Sequence, residues 1–289
     1  MYEAEFDGRG GQIRWTEANG DGEGADSAQP VTVYVHGLGA MSTVYHAHVA
    51  AHPALSGRRS LFVDLPGHGI SDRPADFGYT LEDHAGALAA ALDTAAVSGA
   101  RVVGHSMGGA VSVVLAHRRP DLVSGLVLTE ANLDPAPPPT AGSSSIAAYT
   151  EEEFVKGGGF DRILRRFGPT WAATMRLADP LALHRSATGL VRGTAPTVRR
   201  MLLESPADRS YIQGTLSGEL PGAAELTAAG VRVIQAPGAG HNVMFDRPDV
   251  LVAAVVGSAE YGCGPAAPHN SASVCTDLPG ADPWRVLQG

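Results

Sequence analysis

The residues best placed to do chemistry lie in a glycine-rich run, GHSMGG, at positions 104–109. A β-branched stretch at 101–103 predicts a strand directly before this run, and an Ala/Val-rich stretch at 108–118 predicts a helix directly after it. A serine in so tight a turn has strained backbone geometry, and the flanking glycines remove side chains that would clash. Ser106 is therefore a candidate nucleophile, and the Met107 N–H at the helix start is aimed at a developing oxyanion.

A second glycine-rich turn, HGLG at 36–39, follows another predicted strand. A turn without bulky side chains lets the backbone approach a reacting group closely, so the Leu38 N–H is the second candidate oxyanion donor. We interpret His36 as a structural histidine. We interpret the next turn, which contains Asp64 and His68, as a structural loop beside the site.

The candidate general base is His241, in the run PGAGHN at 237–242. Its loop follows the last predicted strand, at 231–236, and precedes the last predicted helix, at 248–258. Such a loop opens at the carboxyl edge of a parallel sheet, where ligands of these sheets bind. A histidine there can reach within about 3 Å of a serine hydroxyl and take its proton. The other histidines of the chain lack this placement.

Strands and helices alternate along most of the chain, and this alternation predicts the scaffold that positions the site. Short apolar stretches bounded by Gly, Pro or Asp predict strands at 12–16, 31–35, 60–63, 101–103, 125–129, 210–213 and 231–236. Helical patterns fall between them, at 41–50, 81–96, 108–118, 221–229 and 248–258. The pattern is typical of an α/β fold with a mostly parallel sheet flanked by helices.

The alternation breaks at 132–207, where a turn-rich segment precedes three predicted helical pieces. One apolar helix face is predicted from the i, i+3, i+4, i+7 recurrence of Phe160, Ile163, Leu164 and Phe167. An all-helical insertion between two strands predicts a cap over the sheet edge where ligands bind. The predicted units are a core at 1–131 and 208–262, a helical cap at 132–207 and a C-terminal tail at 263–289.

The composition excludes several classes of protein. Of the 289 residues, 44% are hydrophobic and 18% charged, which is enough apolar chain for a sizeable core. The longest apolar run, at 250–256, is shorter than the roughly 18 residues of a membrane span. A net charge of −9 without a basic cluster argues against nucleic acid or membrane as a partner. Cys263 and Cys275 are too few for a disulfide scaffold or a cysteine zinc site, and a single tail disulfide stays open.

Targeting and cofactor signatures are absent from the sequence. The acidic N-terminus lacks the basic start and apolar stretch of a secretory signal, so we expect a cytoplasmic protein. We also expect no cofactor and no metal, because the sequence has no metal-ligand spacing, phosphate-cradling loop or dinucleotide fingerprint. The expected partner is a small-molecule acyl substrate.

The chain resembles the α/β-hydrolase superfamily in the content and order of four motifs, HGLG, DLPGHGISD, GHSMGG and PGAGHNV. The resemblance covers residues 31 to about 258. The helical cap is the variable insertion after the strand at 125–129, which corresponds to the sixth strand of the family. The resemblance implies that Ser106 is the nucleophile and His241 the base. It also implies that the backbone amides of Leu38 and Met107 form the oxyanion hole.

The catalytic acid is where this sequence departs from the usual pattern of the family. The family commonly places an aspartate a few residues after its seventh strand, which is the strand at 210–213 here, but Ser217 stands there and no aspartate lies between that strand and His241. Glu130 follows the sixth strand, from which some family members take their acid, and a carboxylate there can orient the base equally well. Glu130 is therefore the first candidate, and Glu219 and Asp134 are the alternatives.

The reaction implied by these residues is acyl transfer through an acyl-enzyme on Ser106. An ester, a lactone or a thioester of a small to medium hydrophobic substrate is expected, in that order. The hydrophobic character is inferred from the aromatic and aliphatic residues of the cap. Two alternatives stay open: a carbon–carbon bond hydrolase with the same triad, and a non-catalytic ligand-binding member of the fold.

Overall fold

The computed structural model of the protein describes residues 1–19, 29–135 and 143–257. The described strands, in chain order, are β1 (Tyr2–Glu5), β2 (Gln12–Ala18), β3 (Thr32–Val35), β4 (Ser60–Asp64), β5 (Ala100–His105), β6 (Val123–Thr129), β7 (Asp208–Gly214) and β8 (Arg232–Ala236). They form a single sheet in the order β1-β2-β4-β3-β5-β6-β7-β8. Strands β3 to β8 pair in parallel, whereas β1 with β2 and β2 with β4 pair antiparallel. The predicted mostly parallel α/β sheet is confirmed.

Helices connect the parallel strands. In chain order the described α-helices are α1 (Ser42–Ala50), α2 (Leu81–Thr94), α3 (Met107–Arg118), α4 (Glu151–Val155), α5 (Gly159–Arg166), α6 (Pro169–Met175), α7 (Pro180–Arg192), α8 (Val198–Glu204), α9 (Ala223–Ala228), α10 (Val243–Asp246) and α11 (Pro248–Val256). Short 3₁₀ turns lie at Pro53–Leu55, Ser143–Ala148 and Thr215–Ser217. No helix within the described ranges is long and apolar enough to cross a membrane.

The sheet buries both of its faces, because successive side chains of a strand point to opposite sides. On β3, Val33 and Val35 join the apolar cluster that contains residues of α2 and α3. Tyr34 lies between them in sequence and joins the cluster that contains residues of α1 and α11. Each such side chain contributes about 1.5–3 kcal/mol by burial. This two-sided burial explains why the parallel strands read as continuous apolar runs.

Strand β1 was not anticipated from the sequence. Of its residues Tyr2–Glu5, Ala4 is buried and the other three are exposed. A short edge strand with a single small buried residue carries almost no hydrophobic signal. Pairing with β2 through the register Ala4↔Ile13 is what makes it a strand.

The segment between β6 and β7 contains five described α-helices, α4 to α8, where the sequence predicted three helical pieces. The predicted apolar face is divided because α5 ends before Phe167 and Pro169 starts α6. Ile163 is buried, and Phe160 packs partly buried against the same core. The division into a core at 1–131 and 208–262 and a cap at 132–207 stays a prediction. The predicted tail at 263–289, with Cys263 and Cys275, lies outside the described residues.

The N-terminal turn of α3 packs directly against the end of β6, and this contact leaves no room for a side chain at Gly109. A Cβ atom there would lie 2.5 Å from the Cβ of Ala131. Gly109→Ala should therefore destabilise the fold by about 1–3 kcal/mol, measured by urea unfolding. Gly86→Ala is the matched control, because Gly86 lies in α2 with nothing near its Cβ direction and should gain about 0.5–1 kcal/mol. Equal stability of the Gly109→Ala variant and the wild type would contradict the packing.

Within the described part of the chain, five histidines are at most 3% exposed: His36, His46, His68, His84 and His105. Burial lowers the pKa of each below the ordinary value of 6.5, to about 4 for His36 and about 3 for His46. These imidazoles therefore stay neutral in the folded protein at pH values where the unfolded chain protonates them. Burial acts oppositely on Asp64, whose pKa it raises to about 6, so the folded state holds that one proton more tightly.

The free energy of unfolding should consequently fall as the pH is lowered from 7 to 5, because the unfolded chain takes up more protons than the folded protein. Each proton taken up contributes a slope of about 1.4 kcal/mol per pH unit. His46→Phe should reduce the uptake by about one proton, measured from urea unfolding at several pH values. His117→Gln, at an exposed position, is the control and should leave the slope unchanged. A slope that does not change in the His46→Phe variant would refute a buried neutral imidazole there.

Candidate active site

Ser106 occupies the sharp turn between β5 and α3, with φ 51° and ψ −117°. A non-glycine residue in this region of backbone space costs about 1–3 kcal/mol and persists only where its surroundings hold it. The surroundings here are hydrogen bonds: the Ser106 N–H donates to the Thr129 carbonyl at 2.9 Å, and the Gly109 N–H donates to the Ser106 carbonyl at 3.0 Å. The strained turn therefore holds the serine at the carboxyl edge of the sheet.

The Ser106 hydroxyl donates to Oδ1 of Asn132 at 3.3 Å, a long hydrogen bond. The Asn132 N–H in turn approaches the Ser106 carbonyl at 3.4 Å. Asn132 is a site residue that the sequence reasoning missed, since it stands at the first position of the predicted cap with no motif around it. Its place two residues after Glu130 was the available signal.

His241 faces a carboxylate that belongs to a strand end two strands away. Its Nδ1 lies 3.6 Å from Oε2 of Glu130, an ion-pair distance that is too long for a hydrogen bond. The Glu130 side chain is 9% exposed and that of His241 51% exposed. The other oxygen of Glu130 accepts the N–H of Gly214 at 2.6 Å, which fixes the carboxylate over the end of β7. Glu130 itself has a positive φ of 50°.

Gly214 makes this crossing possible. A Cβ atom on Gly214 would lie 2.5 Å from the Ala239 carbonyl oxygen and 2.4 Å from that of Gly240. The loop that carries His241 therefore passes directly over the end of β7, which shortens the distance from the histidine to β6. The Asp position after β7 that is usual in the family is occupied by the exposed Ser217.

The alternative carboxylates lie elsewhere. Asp134 forms a forked ion pair with Arg199, whose Nη2 lies 2.7 Å from one carboxylate oxygen. Glu219 is exposed in the loop after β7. Among the described residues, Glu130 is the carboxylate within ion-pair distance of the His241 ring. The assignment of the acid remains a prediction that this distance supports.

His105, next to Ser106 in sequence, anchors the loop of His241. Its ring lies 4.9 Å from the His241 ring, and its Nε2–H donates to the His241 carbonyl at 3.0 Å. Burial, followed by the nearby His241 ring, lowers the pKa of His105 well below its ordinary value. A neutral His105 can therefore hold the loop without placing a positive charge beside the base.

The HGLG turn lies against Ser106, since a Cβ on Gly37 would be 3.2 Å from the Cβ of Ser106. The buried His36 accepts the Leu65 N–H on Nε2 at 2.9 Å and donates from Nδ1 to the Gly37 carbonyl at 2.7 Å. Its lowered pKa keeps this neutral tautomer in place. Because a peptide is planar, fixing the Gly37 carbonyl also fixes the opposite direction of the Leu38 N–H.

Two backbone amides remain available at the site. Neither the Leu38 N–H nor the Met107 N–H has a hydrogen-bond acceptor among the described residues. Met107 starts α3, and the first N–H groups of a helix have no intrahelical acceptor. Unused donors beside a serine hydroxyl are what an oxyanion hole requires.

The loop that contains Asp64 and His68 packs against the HGLG turn and the start of α1. Asp64 accepts the N–H groups of Ser42 and Ile70, at 2.8 and 3.1 Å, and so ties two turns together. The His68 ring packs 5.0 Å from that of His36. In the described ranges there is no group of three or more His, Cys, Asp or Glu side chains that would hold a metal ion. The expectation that the protein uses no metal or cofactor stays a prediction.

The chain belongs to the alpha/beta hydrolase fold family, whose model matches residues 30–213. This confirms the resemblance inferred from the four motifs. The strand order, with the serine turn after β5 and the histidine loop after β8, agrees with that assignment.

Individual relatives cover the chain to different extents. It is 35% identical over 124 residues to the sn-1-specific diacylglycerol lipase ABHD11 of Mus musculus, which is 43% of this chain and 38% of that protein. It is 27% identical over 244 residues to the 2-(acetamidomethylene)succinate hydrolase of Mesorhizobium japonicum, 78% of this chain and 86% of that protein. An esterase from Exiguobacterium antarcticum superposes with a TM-score of 0.70 at 20% identity, over 88% of this chain and 97% of the esterase chain. The structural match shows the fold.

The place of Glu130 beside His241 leads to a test of the acid. Glu130→Gln should lower kcat by about 10⁴-fold, because the neutral amide no longer stabilises the imidazolium that forms on His241. The glutamine oxygen can still accept the Gly214 N–H, so the thermal unfolding midpoint should change little. Glu219→Gln is the matched control and should retain kcat within about twofold. A loss of the same size in Glu219→Gln would transfer the acid role to that residue.

Proposed function

We propose that the protein is a serine hydrolase that cleaves a carboxylic ester through an acyl-enzyme, with lactones and thioesters as the next candidates. The observation that carries the proposal is the strained turn of Ser106, whose neighbour His105 is bonded to the loop that carries the His241–Glu130 pair. The lipase and esterase names among the similar proteins support the same class.

The first half of the proposed reaction forms the acyl-enzyme. The Ser106 hydroxyl turns from Asn132 toward His241, which takes its proton as Oγ attacks the substrate carbonyl carbon. Negative charge collects on the carbonyl oxygen, where the N–H groups of Leu38 and Met107 stabilise it. Each such donor is worth about 2.7–4 kcal/mol in measured oxyanion holes. The imidazolium of His241, stabilised by Glu130, then gives its proton to the leaving oxygen as the bond to the acyl carbon breaks.

The second half releases the acyl group. Water takes the place of the leaving alcohol, gives its proton to His241 and attacks the acyl carbon on Ser106. The same two N–H groups stabilise the second tetrahedral intermediate. Its collapse breaks the bond to Oγ, and His241 returns the proton to Ser106. The carboxylic acid leaves, and the residues regain their starting protonation states.

The chemistry around the serine favours a neutral, hydrophobic substrate. A small recess of about 10 Å³ adjoins Asn132 and is lined mostly by apolar residues, Leu81, Leu133, Pro135, Leu190, Gly193 and Val198. The charged residue at its wall, Asp134, is paired with Arg199. A relative acts, by its name, on a succinate derivative, but the recess lining includes no cationic side chain to bind a carboxylate. The recess itself has room for about one water molecule, so we propose that its apolar residues form a wall against which an aliphatic or aromatic group next to the ester packs.

Hydrolysis of p-nitrophenyl acetate, butyrate, hexanoate and octanoate by the purified protein is the direct test. We expect turnover that increases from acetate to a longer acyl chain. Ser106→Ala should remove turnover above background while leaving the fold intact by circular dichroism. Lactone and thioester substrates in the same assay rank the three acyl classes.

Other outcomes would replace the proposal. Activity confined to the acetate ester would refute the hydrophobic subsite. Turnover of a vinylogous diketone without turnover of any ester would favour carbon–carbon bond hydrolysis by the same residues. Absence of turnover for every acyl class, together with tight ligand binding, would favour a non-catalytic role.

A further inference from the structure

Helix α6 of the predicted cap is hydrogen-bonded to the turn that presents the Leu38 N–H. The indole Nε1–H of Trp171 donates to the Leu38 carbonyl at 2.8 Å. The hydroxyl of Thr174 donates to the Gly39 carbonyl at 2.9 Å. Both are of normal length for strong hydrogen bonds, and the Thr174 bond is buried. Two side chains of a single helix turn therefore bind two successive carbonyls of the HGLG turn.

The turn itself has a geometry that these bonds complete. The Ala40 N–H donates to the Gly37 carbonyl at 3.1 Å, and Gly39 has a positive φ of 70° whereas Leu38 does not. These features describe a type II turn with glycine at its third position. The Gly37 carbonyl accepts from His36 and Ala40. The Leu38 carbonyl accepts from Trp171, and the Gly39 carbonyl accepts from Thr174. The cap thus supplies partners for two of the three peptide units.

The contact is too close to be incidental. A Cβ on Gly39 would lie 2.9 Å from Nε1 of Trp171 and 3.2 Å from Cε of Met175. The Trp171 ring is held edge-on by Phe167, with ring centroids 4.3 Å apart. Because glycine is the residue that permits both the positive φ and this approach, the turn and α6 fit each other directly.

The same part of the cap is attached to a neighbouring loop. The Asp179 N–H donates to the Gly67 carbonyl at 2.9 Å, and Nη2 of Arg73 donates to the Leu177 carbonyl at 2.6 Å. The segment from α6 to the start of α7 is therefore fixed at two loops of the sheet edge. A displacement of this segment would act on the HGLG turn through Trp171 and Thr174.

We propose that Trp171 and Thr174 are positioning residues of the oxyanion hole: by binding the Leu38 and Gly39 carbonyls, they keep the turn in the conformation in which the Gly37 carbonyl, and with it the Leu38 N–H, is oriented. This inference rests on the proposed serine hydrolase function. Neither side chain touches the reacting atoms. They hold the peptides that follow Leu38, so the turn cannot rotate as charge develops on the substrate oxygen. A misplacement of about 1 Å at such a site can cost about 100-fold in rate.

Conservative pairs of variants separate this role from packing. Trp171→Phe removes the N–H donor and keeps an aromatic ring against Phe167. Thr174→Val removes the hydroxyl at nearly the same volume, whereas Thr174→Ser keeps it. We expect kcat to fall about 10-fold in Trp171→Phe and in Thr174→Val, with KM within about twofold. Thr174→Ser should restore most of the wild-type kcat.

A tetrahedral analogue reads the oxyanion hole directly. Butylboronic acid is such an analogue. The Ser106 oxygen adds to its boron atom while the hydroxyl proton passes to His241, and the product is a four-coordinate anionic boronate with no leaving group. The affinity for this adduct should fall in Trp171→Phe and Thr174→Val by the same factor as kcat/KM, because both report stabilisation of the tetrahedral state. Thr188→Val is the control, since the Thr188 hydroxyl donates to the His184 carbonyl within α7 and should leave both quantities unchanged.

The outcomes distinguish the two proposals. If the wild type hydrolyses esters and both donor-removing variants keep kcat and boronate affinity within about twofold, the positioning role is wrong and the hydrolase function stands. The positioning role would also be wrong if Thr174→Val and Thr174→Ser lowered the thermal unfolding midpoint equally and left the boronate affinity unchanged. In that case the two residues would contribute only to packing. If the wild type turns over no acyl substrate and binds no boronate, the proposed function itself fails.

Discussion

The site depends on a close approach of backbone segments at the carboxyl edge of the sheet. The strained turn of Ser106 is held between the end of β6, through Thr129, and the first turn of α3. The packing of Gly109 on Ala131 and of Gly37 on Ser106 permits no side chain at either glycine. The strain of one residue is thus offset by many ordinary hydrogen bonds and contacts around it. The other parts of the site are arranged around the serine that this packing fixes.

Glu130 and His241, the proposed acid and base, show a similar close approach at the ends of neighbouring strands. His241 follows β8 and Glu130 follows β6, yet their side chains meet above β7. Gly214 at the end of β7 makes this possible, because it lets the loop of His241 pass closely and gives its N–H to Glu130. A carboxylate at either strand end can face the same imidazole, since the role of the acid depends on geometry and not on position in the chain.

The predicted cap contributes directly to this arrangement. Side chains of helix α6 bind the turn that carries Leu38, because Trp171 and Thr174 donate hydrogen bonds to its carbonyls. The recess beside Asn132 is formed jointly by the start of the predicted cap, by α2 and by α7 and α8. Substrate selection and orientation of the oxyanion donor would therefore both respond to changes in the cap.

The sequence by itself determined the fold class, the family and the chemical types of the candidate residues. These follow from local patterns: glycines around Ser106, alternating strand and helix periods, and the order of four motifs. The sequence did not predict strand β1 or the end of α5 before Phe167. An edge strand and a helix end are decided by contacts outside the segment. Only the tertiary structure placed Glu130 rather than Glu219 or Asp134 beside His241, and brought Asn132 to Ser106 and α6 to the HGLG turn. The physical reason is that these are distances between segments far apart in sequence, set by strand order and by backbone packing that single-residue patterns do not encode.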